Sequence, residues 1–105
     1  MIDLDDTSFV RRVTDGSTLV CFVARTCAHC REAEHLVAQA EARLAGLVRA
    51  ARVDIDTARE TRRRLGIHAI PTVKLFRNGV ELKDLTRREG EEELIAAVRV
   101  ALAGP

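Results

Sequence analysis

The stretch from Ser17 to Ala24, STLVCFVA, is apolar at nearly every position and rich in valine, with no polar alternation. A strand with one face in water alternates apolar and polar side chains, so a continuous run of this kind needs cover on both faces. It predicts a central strand in a sheet carrying helices on its two sides, and it argues against a helical bundle or a two-sheet sandwich.

The neighbouring segments fit that frame. MIDL predicts a short first strand, and DDTSFVRRV a helix with a Thr or Asp cap and Phe9 and Val13 at helical spacing. From Ala28 to about Leu47, Ala33, Leu36, Val37, Ala40 and Leu44 recur at steps of three and four, predicting a long amphipathic helix that ends near Gly46. LVRAARVDI reads as a third strand, and Thr57 with Glu60 fits the capping box of a short helix stopped at Gly66. TVKLF, RNG and VELKDL predict a hairpin, because Asn-Gly accepts the two left-handed conformations of a tight turn. EEELIAAVRVAL closes the chain as a helix with glutamates at its positive end. The expected order is β-α-β-α-β-α-β-β-α in one α/β domain over residues 1–105, with strands joined through helices parallel and only the hairpin antiparallel.

A chain of 105 residues can bury a modest core without staples. Seventeen Lys and Arg against sixteen Asp and Glu, mixed along the sequence, provide no patch for nucleic acid or an anionic membrane. Three Phe with no Trp or Tyr leave little surface for base stacking. The acidic start MIDLDDTSFV lacks the basic and apolar regions of a secretory leader, and no segment is long and apolar enough to span a bilayer. With Met1 as the true start, the expected location is the cytoplasm, where ordinary thiols stay reduced. A close cysteine pair there points to catalysis or metal binding.

Cys27 and Cys30 form that pair, as Cys27-Ala28-His29-Cys30 between a strand and a helix. With the helix beginning near Ala28, Cys27 lies at its amino terminus, where free N–H groups and the dipole favour a thiolate. Cys27 is then the attacking thiol and Cys30, one turn on, the resolving one. The same spacing occurs in zinc sites, but a structural zinc needs four ligands, and Cys21, His29, His35 and His68 offer no second pair. An inert, purely packing pair is the third possibility. Pro71, just ahead of a strand, removes a ladder donor and predicts an edge of pairing or a special loop. The Ile70-Pro71 bond has access to the cis form, which sequence alone does not settle.

LVCFVARTCAHC, VDID, GIHAIPTVKLFRNG and the closing helix together resemble thioredoxin, over nearly the whole chain. The resemblance implies a central mixed sheet flanked by helices, a cis Pro71 beside the cysteines, and Ile70 backbone groups that pair with an extended substrate. It implies reduction of protein disulfides by Cys27 and Cys30, without metal or organic cofactor, by a monomer fed by a flavin-dependent reductase. Thr26 and His68 fall beside the cysteines and in the loop leading to Pro71, as further substrate contacts.

The departures are specific. Thr26-Cys27-Ala28-His29-Cys30 stands where common thioredoxins have Trp-Cys-Gly-Pro-Cys, and it is similar at His29 to disulfide isomerases and dithiol oxidases. A His29 that stabilises the thiolate by about one pKa unit contributes roughly 1.4 kcal/mol, or about 30 mV toward the oxidising side. His29 as a solvated turn residue is the plainer alternative. Cys21 occupies the place of the family's buried Asp, where a thiol is a poor proton acceptor, so slower resolution by Cys30 is expected. As a small buried hydrophobe it needs no redox role. His35 is expected at the surface. Arg87 or Arg88 falls where the family has a glycine after the last strand and could select acidic partners. The missing Trp, Asp and glycine keep a second reading open, a partner-specific adaptor with little general catalysis.

Overall fold

The computed structural model of the protein describes residues 1–87 and 90–104. The chain runs β1 (Ile2–Leu4), α1 (Asp6–Thr14), β2 (Ser17–Val23), α2 (Cys30–Arg43), β3 (Arg49–Asp54), α3 (Arg59–Leu65), β4 (Thr72–Arg77), β5 (Val80–Asp84) and α4 (Glu91–Ala103). This is the expected order, and the mixed sheet with its helices is the thioredoxin-type fold that the resemblance implied. The sheet order is β1-β3-β2-β4-β5, with β2 in the middle.

The central strand is buried on both faces, as its composition requires. Leu19, Cys21 and Val23 point into one core with Val37 and Ala40 of α2, Leu44 at its C-cap, and Leu94, Ile95 and Val98 of α4. Val20 and Phe22 point into the other with Phe9 and Val13 of α1. The period-two alternation of a strand makes that division. All three phenylalanines gather in the second core, Phe9 meeting Phe76 edge-on at 5.5 Å and Phe22 at 6.1 Å.

One strand expectation needs correction. β4, although joined to β3 through α3, pairs antiparallel with β2, Phe22 opposite Thr72 and Ser17 opposite Arg77. A helix of seven residues spans only about 10 Å. That falls short of the roughly 20 Å needed to carry the chain back along a six-residue strand such as β3. Residues 66–71 turn the chain instead, and β4 starts at the end where β2 finishes. Pro71 therefore precedes an interior strand, between β2 and β5, and of the two readings that the sequence offered, sheet edge or special loop, it is the special loop.

The helix termini also differ. α2 begins at Cys30 with His29 as its N-cap and ends at Arg43, with Gly46 (φ 86°) in the turn beyond. The predicted Thr57 and Glu60 capping box does not form: the α3 N-cap is Ala58, without a side-chain cap. The cap comes from α1 instead. The Asp6 carboxylate accepts from the Thr61 backbone N–H and hydroxyl, both at 2.7 Å, and from the Glu60 N–H at 3.3 Å. These bonds hold the Asp6 carboxyl below its ordinary range, the Thr61 hydroxyl contributing most. The α1 cap itself is as expected, Asp5 accepting from the Ser8 N–H at 2.8 Å. The hairpin turn has Asn78 at φ 49° and Gly79 at φ 87°, the left-handed pair that Asn-Gly predicts.

Candidate active site

β2 brings the backbone to Ala24, and a tight turn follows, the Cys27 N–H donating to the Ala24 carbonyl at 3.3 Å. Cys27 thus stands in the turn before α2, three residues ahead of its first helical position, and the Cys30 N–H donates to its carbonyl at 3.3 Å. The sequence placed Cys27 at the helix terminus itself. The difference arises because Ala28 and His29 complete a turn of their own before the helix starts. Cys27 and Cys30 are joined as a disulfide with 5.4 Å between their Cα atoms. Their environments are unequal: Cys30 is 2 % exposed while Cys27 is only half-buried. A partner reaching the pair from solvent meets the Cys27 sulfur first.

The Ile70-Pro71 bond is cis. The loop is tied from both sides, the Thr72 hydroxyl donating to the Ala69 carbonyl at 2.5 Å and Arg62 Nε to the Ile67 carbonyl at 3.3 Å. Pro71 and His29 line one groove of about 390 Å³, together with Glu32, Leu36, Thr86 and Leu94. Cys27 and Ile70 pack against the core beneath α2 and α4.

Other sequence candidates are placed apart from that groove or at its margin. His68 is exposed and lines a separate depression with Arg59, Arg62 and Arg63 of α3. Thr26 is exposed in the turn before Cys27, and His35 is exposed on α2. Arg87 is exposed after β5, and Arg88 lies outside the described residues. Gly90, with φ 84°, provides the α4 N-cap on the groove wall.

Cys21 is buried as the sequence reading expected, and beside it lies a charged set that this reading passed over. Cys21 is wholly buried in the same core cluster as Cys30. Burial pushes its thiol up to about 12, Glu34 adding to the rise and Arg52 opposing it. Arg52 stands opposite Cys21 in the β2–β3 register and donates to Glu34 of α2. It also forks onto Asp3 of β1, Nε to Oδ1 at 2.6 Å and Nη2 to Oδ2 at 3.0 Å. That fork holds the Asp3 carboxyl below its ordinary range. Glu34 carried one signal in the sequence, its position four residues after Cys30. Arg52 carried none, because only the register of parallel strands sets it beside Cys21.

Among the described residues no three His, Cys, Asp or Glu side chains converge to hold a metal ion, and no helix is long and apolar enough to cross a membrane. Residues 1–100 match the Thioredoxin family. The thioredoxin of Rickettsia conorii (strain ATCC VR-613 / Malish 7) is 36 % identical over 81 residues, 75 % of this chain and 76 % of that protein. The thioredoxin of Mycobacterium tuberculosis (strain ATCC 25618 / H37Rv) is 29 % identical over 96 residues, 90 % of this chain and 83 % of that one. Protein disulfide-isomerase A3 of Gallus gallus is 32 % identical over 83 residues, 77 % of this chain but 16 % of the isomerase.

Proposed function

The chain belongs to the thioredoxin family of thiol-disulfide oxidoreductases, and from that premise we propose that Cys27 is its nucleophile and Cys30 its resolving thiol. The observation that carries this reading is the inequality of the pair, Cys27 half-buried and Cys30 sealed in the core. The Cys27 thiolate attacks a protein disulfide, forming a mixed disulfide and releasing one substrate thiolate. Cys30 then attacks the Cys27 sulfur, the substrate leaves with the electron pair of the broken bond, and the enzyme pair is oxidised. Two electrons pass to the substrate, and no metal or organic cofactor takes part.

Around the pair, the substrate segment lies along Ile70 and Pro71 with Thr26 at its margin, while His68, in its separate depression, meets only a partner that extends past the loop. His29, exposed with no side-chain cap bond to the helix, is free to face the Cys27 sulfur and favour its thiolate. That makes the protein a somewhat weaker reductant than common thioredoxin. Residues 1–105 work as one domain, a cytoplasmic monomer returned to the dithiol form by a flavin-dependent reductase, acting on proteins rather than nucleic acid or membranes. The alternative, a partner-specific adaptor, draws on the Cys21 thiol, which at about 12 cannot take the proton a fast resolving step must shed.

The equilibrium potential of the Cys27 and Cys30 pair tests the reading, measured by thiol trapping and mass spectrometry in graded dithiothreitol or glutathione buffers. A His29 contribution of about 30 mV on a thioredoxin value of about −270 mV places it near about −240 mV. A value at or above about −180 mV would move the assignment to isomerase or oxidant chemistry. Insulin reduction abolished in Cys27→Ser supports the enzyme; partner capture that survives the same substitution supports the adaptor.

A further inference from the structure

Before Cys30 can attack the mixed disulfide, its thiol must lose a proton. Cys21, on the strand below, holds its own proton near neutral pH and accepts none. A carboxylate from the helix enters the same neighbourhood, Glu34 accepting from Arg52, which stands opposite Cys21. Glu34 follows Cys30 by four residues in α2, which puts the two on one face with roughly 5–6 Å between Cβ atoms. Long helical side chains lean back over the preceding turn, so the Glu34 carboxylate comes over the turn that holds Cys30. Its side chain is 19 % exposed, against 33 % for Glu91 and 69 % for Asp3.

The charges around Glu34 suit a group that takes up a proton and returns it. Arg52 donates to it from β3 and is itself forked onto Asp3 of β1, so one guanidinium serves two carboxylates. When Glu34 is protonated, Asp3 still balances Arg52, and no uncompensated cation is left under the site. Cys21 of β2 and Cys30 of α2 are the thiols of this set. From α4, Glu91 and Glu92 engage Arg43 at the far end of α2.

We propose that Glu34 is the proton acceptor for Cys30 in the resolving step, with Arg52 as the residue that positions it. The inference rests on the exchange chemistry assigned above to Cys27 and Cys30. The Cys30 proton passes to the Glu34 carboxylate, and the sulfur electron pair forms the Cys27–Cys30 bond. The Cys27–substrate bond breaks, and its electron pair leaves on the substrate sulfur, which takes a proton from solvent. Glu34 returns its own proton through its exposed edge.

The test follows reduced protein with excess 5,5′-dithiobis(2-nitrobenzoate) at 412 nm in stopped flow. Attack by Cys27 releases one thionitrobenzoate in a bimolecular phase, and attack by Cys30 releases a second in a unimolecular phase. Thionitrobenzoate leaves as a stable thiolate, so the second phase reads the deprotonation of Cys30. Glu34→Gln should slow that phase about tenfold or more near pH 7, since general-base contributions are typically about 10²–10⁴-fold. The first phase should be unchanged, and Glu34→Asp should recover part of the rate.

Arg52→Gln removes the same ion pair but keeps the carboxylate. It should hold the second phase within a few-fold, since the proton acceptor itself stays in place. An unchanged or faster second phase in Glu34→Gln overturns the inference, as does equal slowing in both variants, which would mark the pair as structural. Should Glu34→Gln fail to fold, Glu34→Ala decides by the same readout: a second phase slowed about tenfold or more supports the inference, and an unchanged one overturns it. Release of a single thionitrobenzoate by the parent protein would overturn the exchange chemistry and this inference with it.

Discussion

With Cys27 and Cys30 joined, Cys21 is the thiol left to titrate, and its wholly buried position makes alkaline pH a direct probe of it. Its ordinary value of 9.0 is pushed up to about 12, chiefly by burial. A folded value above the unfolded one means the contribution is complete below about 9 and is lost as pH rises toward about 12, because the unfolded chain sheds the proton first. At about 1.4 kcal/mol per pH step, the loss is roughly 2 kcal/mol by pH 10.5 and roughly 4 kcal/mol across the whole window. Cys21→Val keeps the site apolar and of similar size while removing the titration. Urea unfolding of both oxidised proteins, followed by circular dichroism because the chain has no Trp, should show the parent losing about 2 kcal/mol more than the variant between pH 7 and pH 10.5. Lysine titrations cancel in the difference, and there is no Tyr to ionise. Parallel pH dependences of the two proteins would refute the desolvation argument, and with it the claim that Cys21 cannot accept a proton.

Asp6→Asn should loosen the join between α1 and α3, read as faster hydrogen exchange at the Glu60 and Thr61 amides that Asp6 now receives. Its lowered folded pKa places that stabilisation above the ordinary aspartate value of about 3.9, to be lost in an acid titration as pH falls through the folded value. Leu75→Ala, at a wholly buried position, should cost about 2–5 kcal/mol as a lower urea midpoint at unchanged slope. Gly79→Ala forces a side chain into φ 87° and should cost about 1–2 kcal/mol in the same assay.

Much of this protein was legible in one dimension because its determinants are local. The two-sided burial of Ser17 to Val23, the Asp5 cap, the Asn78-Gly79 turn and the stop at Gly66 each depend on a few adjacent residues, and each is found where the sequence put it. The cysteine spacing is local too, and it led to the pair on which the proposed chemistry rests.

What the sequence misread or passed over depends on residues far apart. Strand β4 reverses direction because α3 is too short for a return crossover, and the α3 cap comes from Asp6, more than fifty positions away, in place of the nearby Thr57. The cis Ile70-Pro71 bond was implied by the family resemblance and not by the residues themselves, since the folded chain makes the choice between two accessible isomers. The charged set beside Cys21 unites Asp3, Glu34 and Arg52 from three elements. Sequence alone determined which segments form strands, helices and turns, since backbone preference and apolar period are short-range properties. Only the tertiary structure decided which carboxylate meets Arg52 beside Cys21, because strand register and helix docking set distances between residues that the chain itself keeps apart.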